Sequence, residues 1–83
     1  MKSEKYNGWK NYETWNVALW LNNDEYLHNK LVKYATKSRK PTYTGFIQWA
    51  DLVGDSTGDG VSYINSRISR TELSRDLFDG LLA

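Results

Sequence analysis

The 83-residue sequence has no cysteine, one proline, one histidine and no excess of either charge. Each scarcity removes a class of function. Without Cys there is no disulfide framework, zinc–thiolate site or thiol nucleophile. Small secreted domains usually carry disulfides, so the chain reads as a protein of a reducing cytoplasm. The lone His28, expected on a polar helix face, has no second imidazole or cysteine beside it to form a metal site or a triad. No apolar run approaches the roughly 18 residues that cross a bilayer, and the opening MKSEKYNGW lacks the apolar stretch of a signal peptide. No Gly-rich phosphate loop follows a strand. Asp51, Asp55 and Asp59 fall around a helix end and a loop, where solvated carboxylates are ordinary. The expectation is a non-enzymatic chain with no catalytic residues, cofactor, metal or membrane segment.

What is abundant is aromatic. Four Trp, six Tyr and two Phe stand in a chain long enough for one domain and too short for two cores. Each ring can bury about 150–250 Å2, so several anchor a small core. Charge is scarce in total and uneven along the chain. Residues 1–43 carry eight Lys/Arg against four acids, and residues 44–83 three Arg against six acids, which together return the net +1. A basic face and an acidic face are expected.

The apolar spacing predicts an all-α, single-domain, four-helix arrangement opening with an antiparallel helical hairpin. Residues 1–8 are polar and expected to be flexible. Asn11 caps a first helix over about 12–22, with Glu13 at the positive end of its dipole. Tyr12, Trp15, Ala18 and Leu19 form one apolar stripe, and Val17, Trp20 and Leu21 a second. A helix apolar on two faces is central or is an interface. Asn23 is expected to cap a second helix over about 24–38, whose inward stripe is Leu27, Leu31, Tyr34 and Ala35. Arg39-Lys40-Pro41 ends it. Thr44 is expected to cap a third helix over about 45–53, with Phe46, Trp49, Ala50 and Val53 inward and Gly54 as the left-handed terminator. Residues 61–68 are readable as a strand or a turn. The Ser69–Glu72 pair reads as a capping box opening a fourth helix over about 70–81, with Leu73, Leu77, Phe78, Leu81 and Leu82 inward.

Three stretches are candidate sites. The loop from Asp55 to Gly60 has oxygen-bearing side chains at positions 1, 3 and 5 and glycine at 6, like the start of a calcium loop. Ser62 at position 8 and Ser66 at position 12 break the pattern and remove the closing bidentate carboxylate, so a surface turn is expected. The basic set Lys30, Lys33, Lys37, Arg39 and Lys40, with Tyr34 and Tyr43 nearby, could hold nucleic acid through phosphate contacts and base stacking. The low overall charge argues against it. Finally, the second stripe of the first helix and its approach segment offer Trp9, Val17, Trp20 and Leu21 as a partner-binding set, while Trp15 and Leu19 are expected in the core. Surface Trp and Tyr are common anchors of protein–protein contact.

The block NGW at 7–9 followed by NYETWNVALWLNNDEYL at 11–27 resembles a family of small, uncharacterised phage proteins (cyanophage among them) and bacterial proteins that share an NGWxNYETWxVxLWLxNDExY motif. The likeness is close over 7–27 and looser over the DGV segment at 59–61 and the capped last helix. It implies a phage accessory protein that binds and modulates a host enzyme or a defence system in the host cytoplasm. It brings no catalytic or metal residues. A protein partner is the leading expectation, nucleic acid at the basic end of the second helix the alternative. A homodimer built on the first helix is a third reading.

Overall fold

In the computed structural model, Tyr6 and residues 8–82 are described, with side chains through Phe78. The expected flexibility of 1–8 therefore lies outside the described residues, apart from Tyr6 and Gly8. Tyr6 and Trp9 exchange backbone hydrogen bonds of 2.6 and 2.8 Å around Gly8, whose φ of 88° suits a residue without a Cβ.

Four helices follow: α1 (Tyr12–Asn23), α2 (Glu25–Lys37), α3 (Tyr43–Trp49) and α4 (Arg70–Leu82). Asn11 opens α1 as expected, its Oδ1 accepting from the Thr14 amide at 2.9 Å and the Thr14 hydroxyl at 2.7 Å. The cap of α2 is Asp24, not Asn23. Asp24 does two jobs: its amide closes α1 on the Trp20 carbonyl, and its carboxylate accepts from the Leu27 amide at 3.0 Å. One residue thus ends one helix and starts the next, and α1 and α2 pack on each other.

The third helix departs most from expectation. Thr42, directly after Pro41, is the cap, its hydroxyl accepting from the Gly45 amide at 3.1 Å. The helix then stops at Trp49. Asp51 takes a left-handed conformation with φ 61°; its amide bonds to the Gln48 carbonyl, and the Leu52 amide reaches back to Ile47. That pair of bonds is a Schellman ending, with Asp51 where glycine is usual and the buried Leu52 supplying the apolar contact. Gly54 plays no part in it. The early stop also changes the inward face. Tyr43, Phe46, Ile47 and Ala50 are buried, while Trp49 and Val53 are exposed.

In α4 only half of the capping box forms. The Ser69 hydroxyl accepts from the Glu72 amide, but the Glu72 carboxylate accepts from the Lys10 amide at 2.8 Å. Leu73, Leu77 and Phe78 face the core; the expected Leu81 and Leu82 lie beyond the described side chains. Residues 61–68 are turns, with an isolated Ser56–Ser62 bridge and no strand among the described residues. Val17, Leu21, Leu31, Phe46 and Leu73 are completely covered and form the centre, with loop residues Leu52, Val61, Tyr63 and Ile68 closing it.

A non-glycine left-handed residue carries strain of about 1–2 kcal/mol. Asp51→Gly is therefore expected to hold or raise the melting temperature. Asp51→Val should lower it by about 4–16 °C, the shift that 1–2 kcal/mol gives in a domain of this size. Equal melting temperatures for the two variants would show that the Schellman ending does not control where α3 stops.

Candidate functional site

Two of the four residues read from the sequence as a partner-binding set are lost to the core. Val17 and Leu21 have no exposed surface at all, so neither can meet a partner. Trp15 and Leu19, expected in the core, are the half-covered ones. The inversion has a polar cause. Asn16 is also fully buried, so the face of α1 that carries Asn16, Val17 and Leu21 points inward. That burial takes the Val17–Leu21 face from the homodimer expected on the apolar faces of this helix; its other stripe stays on the surface, with Tyr12 exposed and Trp15 and Leu19 half-covered.

Asn16 is matched atom for atom. Its Nδ2 donates to Asp59 Oδ2 at 2.8 Å and to Tyr12 Oη at 3.3 Å, and its Oδ1 accepts from the Thr57 hydroxyl at 2.6 Å. Thr57 Oγ1 also accepts from the amides of Asp59 and Val61, which fills its capacity. Trp20 adds its indole N–H to Asp59 Oδ2 at 3.0 Å and lies over Gly58, where any Cβ would collide with the ring. The calcium-like loop is thus clamped to α1. Its Thr57 and Asp59 oxygens point at Asn16 and Trp20 instead of converging on a cation. No group of three or more His, Asp or Glu suited to a metal occurs among the described residues. Hydrogen bonds from Asn16 and then Trp20 hold the Asp59 carboxyl below its ordinary value.

A second clamp lies at the start of α1. Asn11 Nδ2 donates to the Arg67 carbonyl at 2.7 Å, and the buried Thr14 hydroxyl accepts from the Ser69 amide at 2.9 Å. The cap of α1 is thereby tied to the cap of α4. Trp9, the remaining candidate, is half-buried against the core.

A basic surface free of such hydrogen-bonded clamps is on α2. Tyr26, Lys30, Lys33 and Lys37 follow one another at steps of four, three and four residues, with Asn29 flanking them, so they share a face turned away from Leu27, Leu31 and Ala35. With Trp49 from the end of α3 they line a groove of 430 Å3. The Lys30 ammonium sits 5.2 Å from the Tyr26 ring centre and 5.9 Å from that of Trp49. Trp49 is positioned from behind by Tyr34, with ring centres 5.7 Å apart; Tyr34 in turn packs on Phe46 and Phe78. Tyr26 is 67% exposed and Trp49 43%. No ion pair to Lys30, Lys33 or Lys37 occurs among the described residues.

This corrects part of the basic-site reading. Lys30, Lys33 and Lys37 come together, whereas Arg39 and Lys40 are exposed in the turn beyond α2 and do not line the groove. The expected stacking rings are not the ones available. Tyr43 is buried, donates to the Tyr63 carbonyl at 2.6 Å, and has its hydroxyl pushed well above the usual range by burial. Tyr34 is packed behind Trp49. Tyr26 and Trp49 take their place. Tyr26 was legible as an outward residue one turn before Lys30; Trp49 was not, because it becomes outward only when α3 stops early. His28, expected on a polar face, is half-covered, and its Nδ1 is buried without a hydrogen-bond partner.

Residues 2–79 match a family of unknown function, DUF7249. The chain belongs to that family. No curated protein and no solved structure matches the chain. No helix among the described residues is long and apolar enough to cross a membrane.

Asn16→Ala should leave the Thr57 hydroxyl without its acceptor inside the fold, at a cost of about 2–3 kcal/mol. That corresponds to a fall of about 10–20 °C in melting temperature; a change under a few degrees would contradict the clamp. Asp59 supplies a pH test. Its lowered pKa means that its stabilisation is full above the ordinary aspartate value and is lost as pH falls through the lower, folded value. The Trp20 indole proton resonance should follow that titration with a midpoint below about 3.9, the unperturbed aspartate pKa. A midpoint at or above the ordinary value would show that Asp59 gains nothing from Asn16 and Trp20.

Proposed function

We propose that this chain is a non-enzymatic binding module whose working surface is the basic-aromatic groove of α2 and α3, and that its partner is an anionic macromolecule. The observation that carries the reading is the groove itself: three lysines without an ion-pair partner among the described residues, sharing one recess with two exposed rings. The side chains that first suggested a docking surface on α1 are buried or spent on internal clamps. In the Asp55–Gly60 loop, the Thr57 hydroxyl and the Asp59 carboxylate are used to hold the loop.

The likeness to phage proteins supports an accessory role. In that role the chain acts in the cytoplasm of the host cell, occupying the surface of a host component and so inhibiting or redirecting a host enzyme or a defence system. Binding, and not turnover, is its output.

The test is an NMR titration of isotope-labelled protein at low salt with two polyanions, polyglutamate and oligothymidylate. Shifts from at least one of them should concentrate on residues 26–37 and on Trp49, and vanish in a Lys30→Gln, Lys33→Gln, Lys37→Gln variant. An Arg75→Gln control, exposed on α4, should bind like the parent. Silence from both polyanions, or shifts centred on Trp9 and Trp20, would refute the groove as the working surface.

A further inference from the structure

We infer that the groove takes a short tract of single-stranded nucleic acid, with Tyr26 and Trp49 stacking on bases and Lys30, Lys33 and Lys37 on the phosphates. The inference rests on the groove being the working surface and names its occupant.

The rings decide the class of polyanion. An acidic peptide would use the lysines and leave Tyr26 and Trp49 idle, whereas every base offers a π-face to a ring regardless of sequence. A duplex would use the lysines too, but its bases are stacked on one another and offer no free face to either ring. Only an unpaired strand engages both kinds of group at once. The lysines are spaced for it. Steps of three and four residues set them about 4.5 and 6 Å apart along the helix axis, so they follow a chain of successive charges. The Lys30 ammonium lies over both ring faces; a base that stacks there displaces it towards the phosphate joining that base to the next.

The far side of the groove limits the tract. Tyr26 also borders a neighbouring recess whose polar walls include Asp24 and Asp55. Those carboxylates repel a strand running past Tyr26, so the strand is confined to the lysine side. Three lysines, each meeting one phosphate, imply a footprint of about 3–4 nucleotides and a salt slope near −2, at about −0.7 per phosphate for a single strand. The chain's small net charge, unusual for a nucleic-acid binder, is then expected: the site is local and the rest of the surface opposes it.

The experiment is fluorescence anisotropy at low salt. The probes are labelled oligothymidylate and oligouridylate, a duplex of equal length, and labelled polyglutamate of matched charge. Single strands should bind at least about fivefold more tightly than the duplex or polyglutamate, with log K falling against log salt at a slope near −2. Tyr26→Ala should weaken single-strand binding by about 5- to 100-fold, the range of one lost stacking contact, and Tyr26→Phe should retain it. Tyr26 is the most exposed large ring, so its loss is not expected to disturb the fold; equal melting temperatures check this. Trp49→Phe should bind like the parent or up to about fivefold more weakly. Each Lys→Gln change in the groove should flatten the slope by about 0.7. If polyglutamate binds through the lysines and the oligonucleotides do not, the groove remains the working surface and the single-strand assignment is wrong. Duplex preference, or an unchanged affinity in Tyr26→Ala, overturns the assignment as well. If no probe binds, both the assignment and the groove fall.

Discussion

Everything in this structure hangs on a side-chain amide buried in an apolar helix. Between α3 and α4 the chain runs 20 residues without regular secondary structure, a length that compact domains rarely leave unsupported. Asn16 is what supports it. A buried amide is costly unless all its hydrogen-bonding groups are matched, and a buried amide with a single matching arrangement selects that arrangement. The Thr57 hydroxyl and the Asp59 carboxylate supply it, Trp20 covers Gly58, and the loop becomes a wall of the core with Val61 and Tyr63 inside. At the other end of the loop, Asn11 and Thr14 hold Arg67 and Ser69 and set where α4 begins.

This explains why the NYETWNVALWLNND stretch is so distinctive. Asn11 caps, Thr14 and Asn16 clamp, Val17 and Leu21 fill, Trp20 covers, and Asp24 turns the chain into α2. These seven positions have internal partners, while Tyr12, Asn22 and Asn23 stay exposed. The proposed working surface falls on the next helix, whose outer face carries three lysines without an ion-pair partner among the described residues. The aromatic cluster around Tyr34 then matters twice: it packs α2 against α3 and α4, and it holds Trp49 at the rim of the basic groove.

Helix periodicity made the fold class and the inward faces of α2 and α4 legible, because Leu27, Leu31, Ala35, Leu73 and Leu77 repeat cleanly. The orientation of α1 was not legible. With apolar residues on both sides, its pattern names no inward face, and the deciding residue, Asn16, is polar, where a pattern of burial looks for apolar side chains. Its loop partners, Thr57 and Asp59, lie more than 40 positions away, and one sequence carries no mark of such a pairing. The early end of α3 was hidden for a local reason: Asp51 takes a conformation that a reader assigns to Gly54. That one misplaced terminator put Trp49 in the core on paper and on the groove in the fold. The lysines of the groove were visible from the start; the exposed rings beside them, Tyr26 and Trp49, were not read as part of the same site.

Hydrogen exchange at individual amides tests the central claim, that α1 holds the long loop as part of the core. The Thr57 and Val61 amides, bonded to the Val61 carbonyl and the Thr57 hydroxyl, and the Ser69 amide on Thr14 should exchange as slowly as core helix amides such as those of Leu21 and Leu73. Exchange of these three at the rate of an unprotected loop would mean that the clamp does not hold, and that the fold does not depend on it.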